Sequence, residues 1–305
     1  MMQQFAFVFT CSPTAPCLSQ DLLRQISTFV ELECAGALKW LAPEIACEVV
    51  AEATPTQSRD LLAALRRAFA THPIDVNIVA AGPGRQKSLL VADMDSTIIQ
   101  QECIDELADL AGVGSVIRGI TERAMQGEFD FETALRERVK LLKGLPVTAI
   151  ENVLNERIAL TGGARELVQT MKHNGAYCAL VSGGFTAFTA AIAKRAGFDT
   201  HRANLLEVKA GNLTGCVIEP ILGREAKLAA LEEFISTHDL TQSQSLAVGD
   251  GANDLAMIGY AGLGGAFRAK PVVAAAADVA IEHCDLTGFL YLQGFSIDVF
   301  QTSSH

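Results

Sequence analysis

The sequence has no basic tract, no apolar run of membrane length and no closely paired cysteines. Of its 305 residues, 24 are Lys or Arg and 35 are Asp or Glu, so the formal charge is -11. Nucleic-acid binding needs clustered positive charge, so we expect no nucleic-acid partner. A small anionic substrate remains compatible, since local cations or a metal ion can reverse the field inside a cleft.

The eight cysteines are scattered and form no CxxC pair. Disulfide frameworks are typical of small secreted domains, and this chain is not small. No segment approaches the roughly 18 apolar residues of a membrane helix. The start, Met1-Met2-Gln3-Gln4-Phe5, lacks the basic residues of a signal peptide. These features predict reduced thiols, no membrane association and a cytoplasmic protein.

The first 80 or so residues favour a small α+β unit. Strand patterns occur at residues 5–9 and 74–80, and helical spacing occurs at 18–32 and 59–70. A breaker cluster, Ala81-Gly82-Pro83-Gly84-Arg85, follows. The sequence therefore predicts an N-terminal domain over residues 1–84 and a second domain over 85–305.

The second part alternates short apolar runs, at 88–92, 177–181 and 245–248, with helical patterns. This alternation predicts a parallel sheet covered by helices on both faces. The stretch at about 101–161 is too long for a simple crossover and contains three helical patterns of its own. We predict an α/β fold with a Rossmann-like parallel sheet, an inserted helical cap and a small N-terminal α+β domain.

A polar cluster ends each of the three apolar runs. Ligands of open α/β sheets bind outside the carboxyl ends of the strands, so the clusters predict a single cleft. The clusters are Asp93-Met94-Asp95-Ser96-Thr97, Ser182-Gly183-Gly184 and Gly249-Asp250-Gly251-Ala252-Asn253-Asp254.

Each cluster allows a catalytic and a purely structural interpretation. Asp93 and Asp95 suit a nucleophile and a proton donor, because neighbouring carboxylates acquire separated pKa values; alternatively they are solvated loop residues. Asp250 and Asp254 suit Mg²⁺ ligation or turn and N-cap roles. The serine and glycines suit an anion cradle or a tight turn. Lys227, in a helical pattern at 224–234, is by itself typical of a surface lysine.

Taken in order, these clusters and Lys227 resemble the four motifs of the haloacid dehalogenase superfamily. Within it, the sequence is most similar to the branch that hydrolyses O-phosphoserine, over about residues 89 to 286. The first 80 residues only loosely resemble ACT-like regulatory domains. The closer likeness rests on Glu102-Cys103-Ile104-Asp105-Glu106-Leu107-Ala108, Thr121-Glu122-Arg123-Ala124-Met125, Gly127, Asp130-Phe131, Leu135-Arg136-Glu137-Arg138-Val139 and the segment 181–185.

The resemblance implies hydrolysis of O-phospho-L-serine through an aspartyl phosphate, with Asp93 as nucleophile and Asp95 as acid and base. Mg²⁺ would be held by Asp93, the Asp95 carbonyl, Asp250 and Asp254. The groups that would surround the phosphoryl oxygens are Ser182, the Gly183 amide, Lys227 and Asn253.

The resemblance also implies how the cap selects the substrate. Glu102 would pair with the ammonium group and Arg138 with the carboxylate, while Met125 and Phe131 would wall the pocket. Arg138 would otherwise be interpreted as an exposed helix residue.

Other interpretations stay open. The motifs fit a phosphotransferase, or a phosphatase for another small phosphate, and a ligand sensor with an inactive catalytic domain is the non-enzymatic alternative. The resemblance allows an amino-acid effector at the N-terminal domain and a homodimer. Relatives usually carry a proline before glycine where this chain has Thr161-Gly162-Gly163-Ala164.

Overall fold

The computed structural model describes residues 1–31, 38–125 and 128–301, which form two sheets. The first sheet is antiparallel, with strand order β2-β3-β1-β4. Its elements are β1 (Gln3–Cys11), α1 (Gln20–Glu31), β2 (Leu38–Ala42), β3 (Ala46–Ala53), α2 (Pro55–Ala68) and β4 (Ile74–Ala80).

The helix predicted at 59–70 begins earlier, at Pro55, because a capping box starts it. Thr54 Oγ1 accepts a hydrogen bond from the Gln57 backbone, and the Gln57 side chain accepts one from the Thr54 backbone. Proline suits the first helical position, where its missing N–H group would have no helical partner.

The second sheet has seven strands in the order β11-β10-β9-β5-β6-β7-β8, all parallel except β8. The predicted fold class is therefore confirmed. The strands are β5 (Leu89–Ala92), β6 (Tyr177–Phe185), β7 (Thr200–Lys209), β8 (Asn212–Ile218), β9 (Ser245–Gly249), β10 (Leu263–Phe267) and β11 (Val279–Ile281).

Helices cover this sheet, and four of them form the predicted insertion between β5 and β6. The inserted helices are α3 (Cys103–Leu110), α4 (Gly114–Met125), α5 (Phe131–Lys140) and α6 (Thr148–Glu156). The others are α7 (Ala164–His173), α8 (Thr186–Ala196), α9 (Arg224–Thr237), α10 (Leu255–Tyr260), α11 (Pro271–Ala276) and α12 (Gly288–Leu292). Within the described ranges, no helix is long and apolar enough to cross a membrane.

Gly163 explains the glycine pair at the return of the insertion. Its φ is +76°, a left-handed value that glycine adopts without steric cost, and a Cβ there would lie 2.6 Å from the Thr287 backbone nitrogen. Gly163 therefore lies in close contact with the backbone at Thr287, where the insertion returns to the sheet.

The N-terminal sheet shares a core with the second sheet, because side chains alternate along a strand. On β1, Phe7 and Phe9 pack with α1 and α2, whereas Ala6 and Val8 belong to the large core that contains Phe289 of α12. The two sheets are thus joined by apolar packing.

A buried polar joint reinforces this contact. Asp75 of β4 is 5% exposed, and its carboxylate accepts backbone hydrogen bonds from Glu282 and Cys284, both at 2.8 Å, and from His283. The Asn77 amide bonds both backbone groups of Ala280 on the edge strand β11. Side chains of the first sheet therefore supply hydrogen-bond partners to backbone groups at the β11 edge of the second sheet.

We expect Asp75→Ala to lower the free energy of unfolding of the full chain by roughly 3 kcal/mol, since it strands several buried N–H groups. Asp75→Asn, which keeps one acceptor oxygen, should lose less. Denaturant unfolding measures both, with Asp21→Ala as the control because Asp21 is 85% exposed in a surface pair. A loss for Asp75→Ala as small as that of the control would contradict the joint.

Candidate active site

The first polar cluster leaves β5 at Ala92 and turns both aspartates into a cleft. Asp93 is buried, and its Oδ1 accepts a 2.7 Å hydrogen bond from the Met94 backbone. The Cys103 backbone donates to Asp95 Oδ1 at 2.9 Å, and Ser182 Oγ lies 3.4 Å from Asp95 Oδ2. The first two predicted clusters therefore meet across the ends of β5 and β6.

Lys227 is buried at the base of this cleft, which excludes its interpretation as a surface lysine. Its Nζ lies 2.7 Å from Asp93 Oδ1 and 2.6 Å from Asp254 Oδ1, and the side chain is 1% exposed. Burial alone would lower the pKa of Lys227, but the charges of Asp93 and Asp254 raise it above its usual value. The lysine therefore stays charged between two carboxylates.

The pKa values of the two aspartates predicted to be catalytic, Asp93 and Asp95, are raised above those of free aspartates. Burial and the negative charge of Asp254 raise the pKa of Asp93, against the opposing effect of Lys227. Burial also raises the pKa of Asp95, although the hydrogen bond from Cys103 lowers it. An Asp95 with a raised pKa can carry a proton for donation.

Three carboxylates form a candidate metal site. Oxygen atoms of Asp93, Asp250 and Asp254 all lie within 4.8 Å of one another. Thr97 Oγ1 donates to Asp250 Oδ1 at 3.2 Å, and the Gly251 backbone donates to Asp254 Oδ2 at 3.1 Å. A set of hard oxygen donors fits a cation such as Mg²⁺.

The Ser182-Gly183-Gly184 segment, ahead of α8, allows close approach of backbone to ligand. The Gly184 backbone donates to Ser182 Oγ at 2.8 Å, and a Cβ at Gly184 would lie 2.9 Å from Asp95 Oδ2. A Cβ at Gly183 would meet the Phe131 ring of the cap at 3.0 Å. Larger residues would therefore obstruct the contact between this segment and its neighbours.

The cap and the sheet enclose a cavity of about 830 Å³. Glu102 and Arg138 of the cap line it, as do Phe131 and Asn253. The side chain of Met125 lies outside the described residues, as does Gly127. Apart from Met125, the predicted site residues thus line one cavity, except for Lys227, which contacts Asp93 at its base, and Asp254, which contacts Lys227.

The charged cap residues influence each other's ionisation. Burial, together with the charge of Asp95, raises the pKa of Glu102 to about 7, while a hydrogen bond from Ser96 lowers it. Burial lowers the pKa of Arg138, and the nearby carboxylates of Asp105 and Glu102 oppose that effect. Both side chains line the same cavity, and Glu102 carries its negative charge opposite the Arg138 cation once the pH rises above about 7.

Three charged cavity residues were missed by sequence reasoning. Asp105 stands three residues after Glu102 on α3, so helical spacing could have identified it; Arg224 and Lys270 also line the cavity. Lys270 follows β10, a strand not predicted because its sequence, Leu-Gly-Gly-Ala-Phe, is rich in glycine. The backbone N–H of Lys270 donates to the Asp250 carbonyl at 3.2 Å.

Comparisons with known proteins identify the family of this chain. The profile of the haloacid dehalogenase-like hydrolases matches residues 90–258. The phosphoserine phosphatase of Archaeoglobus fulgidus is 47% identical over 204 residues, 67% of this chain and 59% of that protein. The phosphoserine phosphatase of Streptococcus thermophilus is 49% identical over 200 residues, 66% of this chain and 93% of that protein.

A solved structure is also similar. A phospho-aspartyl intermediate analogue of phosphoserine phosphatase matches with a TM-score of 0.63 and 42% identity, over 68% of this chain and 98% of that one. This chain spans less than two thirds of several curated relatives, with shares of 59%, 56% and 58%.

The carboxylate cluster predicts a pH-dependent response to divalent cations. Burial and the charge of Asp254 raise the pKa of Asp250 from 3.8 to about 6 in the folded, metal-free protein. The folded state therefore binds the Asp250 proton more tightly than the unfolded state does. The stability that this bound proton contributes is lost as the pH rises from 3.8 to about 6. A cation binds the ionised carboxylates, so its stabilising effect should grow over the same range.

The measurement is thermal unfolding in chelator and in Mg²⁺, from about pH 5 to about pH 7. Asp250→Asn should reduce both the pH dependence of the unfolding temperature and the stabilisation by Mg²⁺. Asp298→Asn, at an exposed position, should change neither quantity. Equal stabilisation at both pH values, or its persistence in Asp250→Asn, would argue against this site.

Proposed function

This chain belongs to the haloacid dehalogenase-like hydrolase family, and on that basis we propose that it hydrolyses O-phospho-L-serine to L-serine and phosphate through an aspartyl phosphate. The observation that carries the proposal is the position of Glu102 and Arg138 in the same cavity as Asp93 and Asp95. This reaction would be the last step of serine biosynthesis.

Asp93 is the nucleophile in this proposal. Its Oδ1 is held by the Met94 backbone and Lys227, which leaves Oδ2 to attack phosphorus. A bond forms between Oδ2 and phosphorus as the bond from phosphorus to the seryl oxygen breaks. The Ser182 hydroxyl, the Gly183 amide, Lys227 and Asn253 stabilise the phosphoryl oxygens.

Asp95 transfers protons in both halves of the reaction. It first gives its proton to the departing seryl oxygen, which releases serine. It then takes a proton from the water that attacks the aspartyl phosphate, and the bond between phosphorus and Asp93 breaks. Its raised pKa supports the first role, because a carboxylic acid must be protonated to donate.

The proposed metal is Mg²⁺, held by the carboxylates of Asp93 and Asp250 and the backbone carbonyl of Asp95, with Asp254 in support. Bound there, it would neutralise charge on the phosphate and the attacking carboxylate. The mutual proximity of the three carboxylates supports this proposal.

The cap selects the amino acid. Glu102 accepts the substrate ammonium group, Arg138 binds its carboxylate, and Phe131 closes the pocket against water, while the contribution of Met125 stays a prediction. The contact of Phe131 with Gly183 supports this arrangement, since it brings the cap aromatic against the phosphate-binding segment.

The N-terminal residues 1–84 would form an ACT-like regulatory domain ahead of a catalytic domain over 85–305, with the cap at about 101–161. The βαββαβ element order supports the first assignment, because it is that of ferredoxin-like folds. An amino-acid effector, a homodimer and a cytoplasmic location complete the proposal. The unpaired thiols of the seven described cysteines are consistent with that compartment.

We expect Asp93→Asn to reduce kcat by at least about a thousandfold, because an amide is a poor nucleophile at phosphorus. Asp95→Asn should also lower kcat severely, because it removes both the proton donor to the seryl oxygen and the base that activates water. Phosphoenzyme should accumulate in this variant to the extent that the second step is slowed more than the first. Acid quenching followed by mass spectrometry locates the phosphoryl group. Turnover by Asp93→Asn, with deamidation excluded, would contradict the covalent mechanism.

A crossed set of substrates tests the cap residues. O-phosphoethanolamine lacks the carboxylate of phosphoserine, and 3-phosphonooxypropanoate lacks the ammonium group. Glu102→Gln should lower kcat/KM about tenfold to a thousandfold for the two ammonium-bearing substrates, and Arg138→Ala should do so for the two carboxylate-bearing ones. The value of kcat/KM should stay nearly unchanged for 3-phosphonooxypropanoate in Glu102→Gln and for O-phosphoethanolamine in Arg138→Ala.

Arg136→Ala is the matched control, because Arg136 lies on the same helix but pairs with Glu132 and Glu219 outside the cavity. Equal proportional losses on all three substrates would mean that Glu102 and Arg138 support the catalytic core and do not recognise the amino acid.

A further inference from the structure

We propose that Ser96 is a positioning residue that fixes the Glu102 carboxylate for recognition of the substrate ammonium group. This inference rests on the function proposed above and extends it to a residue without an assigned role. Ser96 lies in the loop after β5, directly after the proton-transferring Asp95.

The contact is direct and short. Ser96 Oγ donates to Glu102 Oε1 at 2.7 Å. Glu102 stands at the N-cap of α3, yet its side chain makes no capping hydrogen bond, so the helix does not hold the carboxylate. The hydroxyl of Ser96 therefore orients Oε1 and leaves Oε2 for a ligand.

The backbone of the loop is shaped for this contact. Ser96 has φ +54° and ψ 5°, a left-handed conformation that is unfavourable for residues with a Cβ. Its N–H donates to the Gln101 carbonyl at 3.3 Å, which closes the loop that ends at Glu102. Glycine would adopt this φ more easily but could not supply the hydroxyl.

The surroundings of Glu102 give the hydrogen bond its importance. The negative charges of Asp95 and Asp250 act on Glu102 and favour its protonation. A donor on Oε1 opposes that effect and keeps the carboxylate able to accept an ammonium group. The next residue, Thr97, makes the equivalent contact to Asp250. Adjacent hydroxyls thus orient one carboxylate for the substrate and one for the metal.

The experiment compares Ser96→Ala and Ser96→Gly with the wild-type enzyme on phosphoserine and on 3-phosphonooxypropanoate. Loss of a hydrogen bond to a charged group should raise KM for phosphoserine about tenfold and change kcat by less than about twofold. The kcat and KM for 3-phosphonooxypropanoate should hardly change. The ratio of kcat/KM for phosphoserine to that for 3-phosphonooxypropanoate should therefore fall about tenfold.

The glycine variant separates the hydroxyl from the backbone. Alanine at this position would keep the strained φ, whereas glycine relieves it, so Ser96→Gly should unfold at a higher temperature than Ser96→Ala. Both should nevertheless lose discrimination equally. A purely structural role for Ser96 would instead predict that discrimination recovers together with stability.

The outcomes distinguish this inference from the function on which it rests. If the wild-type enzyme prefers phosphoserine over 3-phosphonooxypropanoate and both Ser96 variants keep the same preference, Ser96 does not position Glu102. If the wild-type enzyme itself fails to prefer phosphoserine over 3-phosphonooxypropanoate, the proposed substrate is wrong and the role of Ser96 falls with it.

Discussion

The buried ammonium group of Lys227 is the charge around which the cleft is organised. The chain is acidic, and Asp93, Asp95, Asp250 and Asp254 converge at the ends of the adjacent strands β5 and β9. Burying several like charges is costly unless cations balance them. Lys227 bridges Asp93 and Asp254 at hydrogen-bond distance, and a divalent cation would balance the carboxylates further. The same positive charges are what a phosphate ester would require, so the arrangement that stabilises the buried carboxylates also suits the proposed substrate.

The parallel sheet explains why these groups meet. β5 lies between β6 and β9, so the cleft opens at the point where the chain order reverses. Each strand is buried and ends in a polar loop, which places its first polar side chains at the same edge. In the proposed function, the groups at the sheet edge bind the phosphate of the substrate. The insertion places Glu102 and Arg138 in the same cavity, where they would bind the rest of the substrate.

Local patterns predicted the ends of β5 and β9 to within one residue, because an apolar run followed by a polar cluster is visible in consecutive residues. The predicted end of the second run, at residue 181, was wrong: β6 continues through an irregular stretch to Phe185, so the polar cluster lies within the strand. The burial of Lys227, and with it the contacts to Asp93 and Asp254, could not be predicted in this way. Apolar and charged residues are spread around α9, so the sequence of this helix does not reveal which face is buried. The contact of Ser96 with Glu102 depends on a left-handed backbone angle, which serine does not signal. Lys270 was missed together with the glycine-rich β10. Family resemblance supplied the role of Lys227, whereas Ser96 required the structure.

Arg85 shows why the predicted linker is more than a connection. It forms a 2.7 Å ion pair with the buried Glu48 of the first sheet and donates to the Leu292 carbonyl beside α12. Asp75 binds residues 282–284 from the same side, and the next residues continue the contact: Leu286 donates to the Gly162 carbonyl, where the cap insertion returns to the sheet. One face of this short segment therefore holds the N-terminal sheet and the other holds the base of the cap. The segment 282–286 therefore contacts the N-terminal sheet through its first three backbone N–H groups and the base of the cap through that of Leu286, which links the two parts of the fold.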